Sequence, residues 1–124
     1  MKVKCVRYFD SRRRPANDSA WLTLGKVYHV MGLQAEKDTR LDYLIVTNDV
    51  DPGFAAMGYH PSESFEVVSD IIPPNWERSV SGNSVQTMPG SWLVPGFFEQ
   101  FYDRDPNAYS IYEHERDVVM KSDP

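Results

Sequence analysis

The residues of this 124-residue chain best suited to nucleophilic or metal chemistry are one cysteine and three histidines. Cys5 and His29 fall in neighbouring β-rich runs. A Cys–His dyad is therefore the one nucleophilic arrangement their order allows, because a thiol needs an adjacent base to act as a thiolate. Flanked by Lys4 and Val6, Cys5 reads more simply as a small buried hydrophobe. A lone cysteine excludes an internal disulfide framework and a Cys-rich zinc site. His29, His60 and His114 lack the paired spacing of zinc ligands. Asp49-x-Asp51-x-Gly53 and Asp103-x-Asp105-x-Asn107 open like calcium loops. The twelfth position, where such a loop needs a bidentate glutamate, is His60 in the first and His114 in the second. Their carboxylates are expected to cap turns instead. The chain has no Gly-x-Ser-x-Gly elbow, phosphate loop or Gly-x-Gly-x-x-Gly run. Glu113 and Glu115, two residues apart, leave a helix on different sides and cannot work as a pair. No catalytic residue, metal ligand or cofactor is expected.

The residues suited to binding are concentrated elsewhere. Positions 92–117 carry six acids (Glu99, Asp103, Asp105, Glu113, Glu115, Asp117) against Arg104 and Arg116, together with seven of the chain's 16 aromatics. Tyrosines give large contact area at low entropic cost, and carboxylates suit a basic partner. Glu99, Tyr102, Asp103, Asp105, Tyr109, Tyr112 and Glu113 are therefore the candidate partner-binding residues. Trp92, Phe97, Phe98 and Phe101 are expected to pack inward. Charge divides in the same way. Residues 1–14 hold six basic groups and one acid, and the remainder holds seven basic groups and 17 acids. The acidic body disfavours nucleic acid, whose phosphates demand cations. Arg12-Arg13-Arg14 alone is read as a solvated loop.

Several elements must position these residues. Val3, Cys5 and Arg7 alternate with Lys4, Val6 and Tyr8 as a strand. Ser11–Ser19 reads as a loop. Gly25 marks a turn into a strand over Val27–Leu33, with further strands at Leu41–Thr47, Phe54–Tyr59 and Ser64–Val68. Asn48 to Gly53 is a turn. Pro73-Pro74 ends the sheet. Val80–Met88 fits a hairpin or an irregular loop. Phe97–Tyr102 reads as a short helix. Asp105-Pro106 starts a second helix, whose apolar stripe is Ala108, Ile111, Tyr112, Glu115 and Val119. The class is α+β, mostly β. Residues 1–124 form a single domain, with a small antiparallel barrel or sandwich in 1–70 and a loop and helical appendage in 71–124.

Leu22-Thr23-Leu24-Gly25-Lys26-Val27-Tyr28-His29-Val30, then Tyr43 to Asp49, with Phe65-Glu66-Val67-Val68 as a closing strand, resembles small bacterial SH3-like β-barrel proteins over residues 3–68. Pro74-x-Trp76 and the run Trp92-x-x-Pro95-Gly96-Phe97-Phe98-Glu99-x-x-Tyr102-x-x-Asp105-Pro106-x-Ala108 are similar to small immunity proteins of bacterial polymorphic toxin systems. This second resemblance implies a non-catalytic inhibitor that occludes one cognate toxin, and the acidic body would suit a basic toxin domain. The alternative is a regulatory or peptide-binding SH3-like domain of phage or bacterial origin, using Tyr8, Trp21, Tyr28 and Tyr43 as an aromatic groove. No apolar run is long enough for a membrane span, and the first residues lack a secretory h-region, so the expected location is the cytoplasm.

Overall fold

The computed structural model describes residues 1–37, 39–49 and 55–124. In chain order these form β1 (Lys2–Cys5), β2 (Tyr8–Phe9), β3 (Pro15–Ala16), β4 (Val27–Glu36), β5 (Arg40–Asn48), β6 (Ala56–Pro61), β7 (Phe65–Ser69), β8 (Trp76–Ser81), β9 (Ser84–Pro89), α1 (Phe97–Tyr102) and α2 (Pro106–Ser122). The Asn48–Gly53 turn lies partly outside the described residues, as do Asp51 and Gly53 of the first calcium-like motif and the start of the Phe54–Tyr59 strand.

β4 organises the main sheet. Its Val27–His29 end pairs with β1, and its Leu33–Glu36 end pairs with β9 on that same edge. β5 lies along the opposite edge from Val30 to Glu36. All pairings are antiparallel, and the path runs β6-β5-β4-β1-β7. Among the described residues β6 and β7 do not meet, so the sheet is open and no closed barrel forms. Nor is the sheet confined to residues 3–68, because the β8–β9 hairpin joins it beyond the Pro73-Pro74 break. The prolines end β7's course but not the sheet. The ambiguous Val80–Met88 stretch lies in this hairpin. β9 can lie close to β4 because residue 32 is glycine: a Cβ there would fall 2.8 Å from the Thr87 carbonyl oxygen and 2.9 Å from the Met88 Cβ.

The Tyr43-Leu44-Ile45 run is apolar without alternation because β5 is buried on both faces. Tyr43 and Ile45 join Val3, Cys5, Leu22, Tyr28, Val30 and Phe65 in one core. Leu44 joins Met31, Met57 and Met88 beneath Trp92, Phe97, Phe101, Ala108, Tyr112 and Val119 in the other. Half-buried Trp76 touches both clusters. The helices therefore roof one face of the sheet. No helix among the described residues is long and apolar enough to cross a membrane.

Candidate functional site

Local devices fix the two helices that carry the proposed contact residues. Gly96, at φ +86°, turns the chain into α1. Asp105 caps α2, its Oδ1 accepting from the backbone N–H groups of Asn107 (2.8 Å) and Ala108 (3.2 Å), and Pro106 fills the first helical position. Ala108, Tyr112 and Val119 then share one face and are buried. Ile111 sits about 80° round the helix from that face's centre and is 41% exposed, so it leaves the expected stripe. Glu115 lies on the stripe half-buried, and its carbonyl and carboxylate accept from the Asn75 side-chain amide at 3.1 and 3.4 Å.

The seven contact residues read from the sequence divide into three groups. Glu99, Tyr102, Asp103 and Glu113 are exposed. Asp105 is half-buried and its carboxylate is engaged by α2. Tyr109 is half-buried, its ring parallel to Phe101 at 6.2 Å. Tyr112 is a correction: it is fully buried, stacked on Trp92 at 5.8 Å and tilted against Phe101 at 4.9 Å. Its helical position points it at the sheet, and burial drives its phenol far above the usual tyrosine range. The ring stack Trp92–Phe97–Phe101–Tyr112 makes a stiff base for the exposed carboxylates, since such pairs add to plain burial. Arg116 lies across the Tyr112 ring, bridged to Asp49 at 2.6 Å and Asp117 at 3.1 Å. That cation is spent internally, which leaves the helical surface acidic.

The arginine run is a solvated turn only in part: Arg12 and Arg14 are exposed, whereas Arg13 is half-buried. Asp10 Oδ1 accepts from the backbone N–H groups of Arg12 (2.9 Å) and Arg14 (3.0 Å), closing the β2–β3 ribbon with Arg13 at φ +60°. The Arg13 guanidinium bridges Asp42 at 2.6 Å and also Glu63, and Arg14 pairs with Asp10 at 3.0 Å. Two of the three arginines thus brace the fold. Cys5 and His29 do not meet. Cys5 is buried on the inner face, whereas His29 sits opposite Lys2, whose neighbours Val3 and Cys5 point the other way. The His29 Nε2 contacts the Asp123 carbonyl oxygen at 2.7 Å, and burial raises the Cys5 thiol pKa.

The groove of three tyrosines and one tryptophan does not assemble either. Tyr28 and Tyr43 are core residues, at 4% and 6% exposure. Their register on β4 and β5 faces them inward. Tyr8 and Trp21 instead line a cavity of about 730 Å³ with Tyr59, His60 and Tyr102, a size usual for ligand sites. Burial pushes the Tyr59 phenol up to about 12, with the neighbouring Tyr102 and Asp42 adding to it. Burial raises Tyr102 and lowers His60. Both phenols stay protonated at neutral pH. Tyr102 donates to the Met57 carbonyl oxygen. The sequence reading missed Tyr59. Its signal was Gly58, because a glycine inside a strand marks bare backbone or a close approach.

No protein-family model, curated protein or solved structure matches this chain. A functional reading therefore rests on the site itself.

Proposed function

We propose that the chain is a non-catalytic binding protein that neutralises a cognate bacterial toxin by occluding it, as an immunity protein does. The observation that carries this reading is the exposure of Glu99, Tyr102 and Asp103 at α1 and of Glu113 on α2, two helices whose buried rings stack on one another. Rigid mounting lowers the ordering cost of an interface, and single-signed charge speeds encounter with a basic partner. Met120 and Asp117, exposed on α2 within about 40° of Glu113 around the helix, extend the same surface, the first with apolar area and the second with a further carboxylate. The likeness of the strand-rich half to SH3-like barrels belongs to this proposal, carried by the Thr23–Lys26 turn and by β7, which pairs with β1 without closing the sheet. In that turn Gly25 stands at φ +82° and the Lys26 N–H donates to the Thr23 carbonyl at 3.1 Å. In this reading the sheet is scaffold and the helices are the docking face.

The test is co-expression with the toxin domain encoded by the neighbouring reading frame, followed by affinity capture of the complex. The chain restores growth and co-purifies with the toxin. If the neighbour is not toxic, or cells die despite the chain, the reading is wrong.

A further inference from the structure

The cavity beside Tyr59 has a shape that a simple pocket lacks. Consecutive residues 55–61 all line it. Side chains of a strand alternate between its two faces, so a space touched by every residue in turn runs along the strand's edge. That strand is β6, which pairs only with β5 among the described residues. Across the cavity stand Tyr8 and Phe9 of β2 and the exposed Trp21, at 61% exposure. At the middle of β6, Gly58 presents bare main chain, with nothing within 4 Å of where a Cβ would lie. The Tyr102 hydroxyl donates to the Met57 carbonyl, so a donor reaches the β6 main chain there and that one acceptor is already engaged.

The charges at the cavity are tied to one another. Arg13 pairs with Asp42, Arg40 lies 3.6 Å from Asp42, and Asp10 holds Arg14. Among the described residues, the space therefore offers main-chain hydrogen bonds and aromatic walls but no uncompensated charge. A charged occupant would be desolvated without a partner, and an uncharged one would not.

We propose that this slot accepts an uncharged, extended segment of a partner protein, which adds as a strand to the edge of β6 with an apolar side chain seated between Trp21 and Tyr59. An unprotected edge strand is a ready template for such pairing, with main-chain bonds giving affinity and alternate side chains giving selectivity. β6 spans roughly 20 Å, room for a partner strand of about five residues. The inference rests on the reading of the chain as a protein-binding module, but not on the toxin.

The probe is a phage-displayed library of random heptapeptides built from uncharged residues, selected on the whole chain and on its Trp21→Ala form. The best binder is synthesised, together with two versions N-methylated at alternate residues, one set for each edge of the peptide strand. The expected results are enrichment on the parent chain and not on Trp21→Ala, slowed hydrogen exchange at the Gly58–His60 amides, and about tenfold weaker binding for one N-methylated version only. The proposal is overturned by enrichment that ignores Trp21→Ala, or by binding that survives both N-methylation patterns. It is equally overturned by failure to enrich any peptide, or by self-association of the chain that Trp21→Ala abolishes, which would make a second copy the occupant. No toxin enters this experiment, so its failure and the failure of toxin neutralisation are separately visible.

Discussion

Arg13 shows how a residue's sequence context can mislead. Within Arg12-Arg13-Arg14 it looks like part of a solvated basic patch, yet its guanidinium joins the β2–β3 ribbon to Asp42 of β5 and to Glu63. Its side chain is 22% exposed and that of Asp42 is 13% exposed, so the pair is well shielded. Arg13→Ala should cost about 1–3 kcal/mol in denaturant unfolding, because hydrogen bonds to charged groups exceed neutral ones. Arg12→Ala should cost little. Asp42→Ala and the double variant complete a cycle that isolates the pair. Acid stability follows from the same contacts. The Arg13 hydrogen bond holds Glu63 below the usual carboxylate range, and backbone N–H donors, that of Arg14 foremost, do the same for Asp10. Protons therefore bind these groups more readily in the unfolded chain. Their contribution is complete above roughly pH 5, shrinks as pH falls through the ordinary carboxylate range near 4, and is gone below their folded values. Glu63→Gln should flatten the acid limb of a stability–pH profile measured between pH 6 and pH 2. An unchanged limb would mean the Arg13 bridge contributes nothing to it.

The elements carry two further predictions. Asp105 was picked as a contact residue and is observed as a helix cap. Asp105→Ala should lower stability by about 1 kcal/mol without touching association beyond that, and Asp103→Lys should do the reverse. Thermal unfolding and association kinetics on the two variants separate cap from rim. Gly32→Ala should destabilise by roughly 1–3 kcal/mol and loosen the β8–β9 hairpin from β4, read as faster amide exchange along Ser84–Pro89. These elements also show what a sequence can disclose. The Asp105-Pro106 start of α2 and the strands near 27–36, 40–48 and 65–69 were legible because caps, β-branched runs and turn residues act locally. That β9 would return to β4 was not legible, since the pairing depends on Gly32 and Met88 meeting across more than fifty residues. Tyr112 and Tyr102 have the same residue type on successive helices, and only the docking of α2 on the sheet buries the first and leaves the second exposed.

At the scale of the whole molecule, one sheet is covered on one side by a core of its own strands and loops and on the other by an aromatic-backed helical roof. The roof presents carboxylates. The sheet's β6 edge opens onto a cavity whose lining charges are paired with one another, and Tyr102 borders both. The acidic helical face is the proposed docking surface and a basic toxin its proposed partner. The most direct measurement is the association rate of the purified chain with the toxin domain from the neighbouring reading frame, compared with the Asp103→Lys, Glu113→Lys double variant across a salt series. Fast, salt-sensitive association is expected for the parent chain, slowed about tenfold at low salt by the double variant while its unfolding midpoint is unchanged. Equal rates for the two forms at every salt concentration, or no binding by the parent chain, would contradict it.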